Sequence, residues 1–81
     1  MEEKILEILR RVLEDSSLDK TCSMENCEMW DSLRQLNVCF ELEGEFGVMF
    51  EPEEMAEMKS FDDIVTVLNR KLWTAQSHIV R

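Results

Sequence analysis

Residues 30–47, WDSLRQLNVCFELEGEFG, decide how this chain reads. Leu33, Leu36, Cys39, Phe40, Leu42 and Phe46 recur at helical spacing, and Gly47 follows as the kind of residue that ends a helix. The spacing predicts a helix that begins around Ser32 and stops before Gly47. Gly44 inside it is a mild cost to be offset by a close helix contact. At its start stand Asp31 and Ser32, both of which cap helices well, and Ser32 with Gln35 fits the S-x-x-Q capping box. One serine hydroxyl is thereby set where backbone N–H groups and the helix dipole favour an attached phosphate.

Upstream, Ile5, Leu6, Ile8, Leu9, Val12 and Leu13 mark a first helix over roughly residues 3 to 14, with Glu2 and Glu3 ahead of it as the dipole prefers. The connection over residues 15 to 31 is too long to be inert in so small a domain, and Leu18, Met24, Met29 and Trp30 are expected to pin it to the core. Downstream, Val48 and Phe50 alternate with Met49 and Glu51 like a short extended piece. Pro52 suits the first turn of a short helix over residues 53 to 58. Ser60 with Asp63 reads as a capping box that opens a last helix burying Phe61, Ile64, Val65, Leu68 and Leu72. Beyond it, residues 73 to 81 have no clear pattern and are expected to fray.

Eighty-one residues suit one domain, 1–81, with a structured core over about 3–72. Two glycines and one proline leave few interruptions for helices, so an all-α fold is expected. Eighteen acidic residues against nine Lys plus Arg give a net charge of −9, which repels nucleic-acid backbones and anionic lipid. Nine of the acids lie in residues 41 to 63, opposed only by Lys59. This segment is a solvated surface or a docking face for basic partners, since complementary charge speeds encounter. No apolar run is long enough to span a membrane. Cys22, Cys27 and Cys39, an odd number without a secretory segment, fit reduced thiols in a cytoplasm. With His78 they do not give the paired short spacing of structural zinc, and Cys39 reads as a small buried hydrophobe.

Two further patterns imitate known chemistry. Residues 15 to 26 offer oxygen side chains at the first, third, fifth, seventh and ninth places of a calcium loop, but Lys20 stands where the glycine is needed and Asn26 where a bidentate carboxylate is needed. Ser32 as a nucleophile lacks a nearby base: the lone histidine is His78, no G-x-S-x-G surrounds the serine, and Gln35 occupies the place of the lysine in S-x-x-K. No catalysis by this chain alone is expected.

In order and spacing these pieces resemble the acyl carrier proteins over about residues 3 to 72. The resemblance rests on Asp31-Ser32-Leu33, on the register Leu36, Val38 and Leu42, and on Leu42-Glu43-Gly44-Glu45-Phe46, where the family has a leucine, two or three acids and an aromatic. It continues through Val48-Met49-Phe50 with Glu51-Pro52-Glu53-Glu54, proline and the preceding acid being exchanged, and through Ser60-Phe61-Asp62-Asp63-Ile64. The resemblance implies a small four-helix bundle of acyl-carrier type, with a long loop between the first two helices and a short third helix. It implies a monomer to which a separate phosphopantetheinyl transferase adds 4′-phosphopantetheine at Ser32. Asp31 would help hold the transferase's magnesium, and Leu33 would pack against partner enzymes that load and transfer acyl groups. The cargo would be held as a thioester on the arm.

This chain departs from the pattern of fatty-acid-synthesis carriers where acids are usual: Arg34 and Asn37 replace two of them, Glu43 keeps one, and Gly44 replaces the next. Those departures imply a specialised carrier for a secondary-metabolite, lipid or cell-surface pathway. Trp30 either resembles such specialised carriers or simply anchors the loop; Phe40 is either a partner contact or, more simply, core. An aminoacyl or peptidyl carrier of a nonribosomal pathway stands as the alternative, and a small helical adaptor without a cofactor as the alternative from another class.

Overall fold

The computed structural model describes residues 1–80, with side-chain surroundings through residue 72. Four helices follow one another: α1 (Glu2–Val12), α2 (Ser32–Phe46), α3 (Pro52–Glu57) and α4 (Phe61–Val80). The described residues form no strand, only one antiparallel bridge between Ser23 and Ser60. The fold is thus an all-helical small bundle with a long first loop and a short third helix.

α1 buries Ile5, Ile8 and Leu9, one stripe at the three- and four-residue spacing of a helix, and sets it against α2 and α4. Its end is tighter than its sequence suggests. Leu13 closes the helix, and Glu14 turns left-handed at φ 55°. The N–H groups of Glu14 and Asp15 then reach back to the carbonyls of Arg11 and Arg10, at 3.4 and 3.0 Å. This is the Schellman arrangement, with a glutamate where glycine is the usual occupant.

The long loop is held from inside and from its flank. Leu18, Cys22, Cys27 and Trp30 are buried, whereas Met29 is 38 % exposed and Met24 only half-buried. The expectation that Met29 pins the loop is corrected: the two cysteines do so instead. Their surroundings are apolar, and burial, aided by the neighbouring Cys27, pushes the Cys22 thiol up to about 11. Beside the bridge, Met24 N–H donates to Lys59 O at 2.8 Å and Phe61 N–H to Cys22 O at 3.0 Å. The loop is therefore fastened to the α3–α4 corner. The oxygen pattern of residues 15 to 26 has a local purpose: Asp15 accepts from the N–H and hydroxyl of Ser17, and Asp19 from those of Thr21. These bonds hold both carboxyls below their usual range.

α2 buries Val38, Cys39 and Leu42, and Gly47 ends it at φ 66° with its N–H on Glu43 O. Gly44 is exposed, and a Cβ built there meets nothing within 4 Å. The expected close helix contact at Gly44 is absent. After Gly47, Phe50 is buried and Val48 half-buried while Met49 and Glu51 face solvent, as the alternation requires. α3 starts on Pro52, and Glu54 accepts from the Glu51 N–H and from Lys71 Nζ at 2.7 Å, tying α3 to α4. Ser60 Oγ accepts from the Asp63 N–H at the start of α4, but the Asp63 carboxylate turns to the Lys59 N–H at 3.3 Å. α4 buries Phe61, Ile64, Val67 and Leu68, with Val65 and Leu72 only half-buried, so Val67 takes the inward place expected of Val65. Its backbone is helical through Val80, past Leu72 where the apolar pattern stops. Arg81, in the segment expected to fray, lies outside the described residues.

Candidate functional site

Asp31 and Ser32 compete for one task, capping α2, and the backbone assigns it to Asp31. Asp31 sits at φ −104° and ψ −175°, and its Oδ1 accepts the Arg34 N–H at 2.9 Å. Ser32 is the first helical residue, exposed, and its hydroxyl has no partner among the described hydrogen bonds. The S-x-x-Q capping box does not form, because Gln35 points inward. The result is a primary hydroxyl open to solvent on the first turn of a 15-residue helix, beside N–H groups that favour an anion.

Gln35 is the polar residue that the sequence reading missed. It is 9 % exposed, and its Oε1 accepts from Trp30 Nε1 at 2.6 Å. Its Nε2 donates to Met55 O at 2.8 Å and to Met58 O at 2.7 Å. The orientation of the amide is forced, since an indole N–H needs an acceptor and carbonyls need a donor. One side chain therefore ties the loop through Trp30 to α2 and to the end of α3. Nothing local in the sequence signals this, because its partners lie 20 and 23 residues away.

The same three elements surround an open groove of about 250 Å³ lined by Met24, Ser32, Gln35, Met55, Ala56 and Lys59. Its walls are chiefly apolar, and Ser32 and Lys59 are the lining residues whose side chains carry a hydroxyl and a cation. A wider depression of about 710 Å³ lies over α1 among Glu3, Leu6, Glu7, Arg10, Arg11 and Lys20. Its cations are engaged with neighbours: Lys20 pairs with Glu2, Arg11 with Glu41, and Arg10 donates to Leu18 O. It offers no free reactive group.

The other residues singled out from the sequence divide into two sets. Leu33 is 75 % exposed on the outer side of α2, and Leu36 and Phe40 continue the same strip one and two turns on, Phe40 at 57 %. The expectation that Phe40 packs in the core is corrected: Val38, Cys39 and Leu42 fill that side. Asn37 is exposed beside this strip. Arg34 and Glu43 have tasks inside the molecule. Arg34 donates to Val12 O at 2.9 Å and pairs with Glu14 at 3.5 Å, a cation at the C-terminus of α1 where the dipole favours it. Glu43 accepts from the Phe50 N–H at 2.9 Å and so holds the extended piece against α2. The described residues contain no cluster of three or more His, Cys, Asp or Glu that could hold a metal ion, and the side chain of His78 lies outside them. No helix among them is long and apolar enough to cross a membrane.

Comparisons with models of protein families, with curated proteins and with solved structures return no match.

Proposed function

We propose that this chain is a specialised acyl carrier protein whose 4′-phosphopantetheine arm is attached to Ser32. The observation that carries the reading is the division of labour at the start of α2: Asp31 caps the helix, leaving the neighbouring hydroxyl exposed, and an apolar groove begins beside it. These residues fit the group, because the attached phosphate would lie by the N-terminal turn of α2 and the arm's carbons by the groove. Leu33, Leu36 and Phe40 form an exposed apolar strip next to the attachment point, suited to partner enzymes. The acidic segment over residues 41 to 63 suits basic partners by steering encounter.

Attachment follows from the chemistry of a serine hydroxyl. In a transferase's active site Ser32 Oγ attacks the β-phosphorus of coenzyme A, its proton passes to a base of the transferase, and the pyrophosphate bond breaks to release 3′,5′-adenosine bisphosphate. Asp31, by the resemblance, would help hold the transferase's magnesium. Once attached, the arm supplies a thiol on which cargo is held as a thioester. The chain's own residues fix the position of the serine and shield the base of the arm; they catalyse nothing by themselves. A monomer in a reducing compartment such as the cytoplasm fits the three free, buried cysteines.

The experiment is incubation with coenzyme A and a broad-specificity phosphopantetheinyl transferase, read by intact mass. A carrier gains one arm, and Ser32→Ala gains none. The exposed strip of α2 also favours a second reading, a helical adaptor that never receives a cofactor, and that reading requires an unchanged mass in a folded sample. If the arm is added, loading with acyl against aminoacyl adenylating enzymes separates an acyl carrier from an aminoacyl or peptidyl carrier.

A further inference from the structure

Lys59 stands in the most acidic part of the chain and is paired with none of its carboxylates. Among the described residues Lys4, Arg11, Lys20, Arg34, Arg70 and Lys71 all lie within ion-pair distance of a glutamate, and Arg10 is satisfied by a backbone carbonyl. Asp63, in the first turn of α4, spends its carboxylate on the Lys59 backbone N–H and not on its ammonium. The backbone of Lys59 is meanwhile held on both sides, with its N–H also directed to Glu57 O at 3.0 Å and its carbonyl receiving the Met24 N–H at 2.8 Å. Lys59, with a rooted main chain and an exposed side chain, is thus among the residues that line the groove beside Ser32.

An anion fixed on Ser32 has need of this cation. Asp31, the preceding residue, already places a carboxylate at the N-terminus of α2 and partly offsets the favourable dipole there. A second negative charge beside it would meet like-charge repulsion, as well as the field of a chain carrying −9. Lys59 is the cation that lines the groove.

Resting on the carrier reading of Ser32, we infer that Lys59 is the counter-ion of the phosphodiester formed there, and that it holds the base of the arm in the groove between Met24, Met55 and Ala56. The ammonium acts as a point charge on a flexible stem, which suits a phosphate that moves with its serine. The two methyl groups that follow the phosphate in pantetheine then meet the apolar walls, while the distal thiol remains free to reach partner enzymes. Lys59 is a positioning residue in this arrangement, not a catalytic one.

The test compares the full chain before and after loading with coenzyme A and transferase, each state verified by intact mass. Limited acetylation with an amine reagent and peptide mapping should show Lys59 modified roughly two- to fivefold more slowly in the loaded protein, the effect of an exposed ion pair, with Lys4 unchanged as control. The phosphorus-31 resonance of the loaded protein should shift in Lys59→Gln, a variant of an exposed side chain whose helicity should match the parent. Equal acetylation of Lys59 in the two states, or an unmoved phosphorus resonance, overturns the inference while leaving the carrier reading intact. Failure to gain the arm's mass removes the carrier reading and this inference with it.

Discussion

Replacing Gln35 by Leu keeps a side chain of similar size at a 9 % exposed position and removes three hydrogen bonds. Trp30, itself 2 % exposed, loses the acceptor for its indole N–H, and Met58 O loses its described donor. Met55 O still receives the Met58 N–H at 3.3 Å, so it is weakened but not orphaned. Leaving a buried donor or acceptor unmade costs about 1–3 kcal/mol each, so two orphaned groups give a loss of about 2–6 kcal/mol. Against a total of roughly 4–12 kcal/mol for a domain of this length, that is a large fraction. The gain from a more apolar side chain at one partly open site offsets only part of it, about 1 kcal/mol. Equilibrium urea unfolding followed by far-ultraviolet circular dichroism gives the free energy. Fluorescence emission reports whether Trp30 has left its buried site, with Trp73→Phe as the background. A loss below about 1 kcal/mol with unchanged emission would refute the proposition that Gln35 holds the loop, α2 and α3 together.

Gly44→Ala should raise stability by about 1 kcal/mol in the same unfolding assay, since the site is helical, exposed and free of neighbours. Gly47→Ala should lower it by about 1–2 kcal/mol because of its φ of 66°; equal effects at the two glycines would contradict this account of α2. Glu14→Gly should stabilise by about 1 kcal/mol through relief of its left-handed backbone, less whatever its exposed pairing with Arg34 contributes, and a net loss of stability would show the ion pair to be the stronger term. Cys22 and Cys39 are buried, with thiols pushed up to about 11 by desolvation, so alkylation of the native protein at neutral pH should proceed only through opening and should accelerate in urea. Between the unfolded thiol value of about 8.5 and their own, the folded chain retains protons that the unfolded chain releases, so stability should fall as pH rises through that window; a rise there would contradict the assignment. Arg34→Asp removes a donor to Val12 O and sets an acid against the C-terminus of α1 beside Glu14, so it should cost stability by about 1 kcal/mol or more, whereas Asn37→Glu should be nearly neutral. On the carrier reading, attempts to restore an acidic α2 face for fatty-acid-synthase enzymes should therefore succeed better at position 37 alone, measured as acyl-transfer rate to the protein once loaded.

The sequence by itself determined the helices. Ile5, Ile8 and Leu9 share a face by their spacing alone, Gly47 accepts a left-handed φ that other residues resist, and Ser60 offers its oxygen to the N–H three residues on. These are local effects, decided within a turn or two of chain. The serine at the start of α2 was also legible, although whether it or Asp31 would cap the helix was not, because the two suit the task equally. Only the tertiary structure decided which side of α2 faces inward. Its apolar residues spread around much of the helix, so periodicity could not choose between Phe40 outside and Val38, Cys39 and Leu42 inside; the positions of α1 and the loop made the choice. Gln35 turned from a capping candidate into a buried hub for the same reason, since Trp30 Nε1 and the carbonyls of α3 converge on it only after the chain has folded back. The groove that Ser32 and Lys59 share is likewise a product of the folded chain, in which Gln35 of α2 holds the carbonyl of Met58 next to Lys59, a contact between segments too far apart in sequence for any local pattern to record.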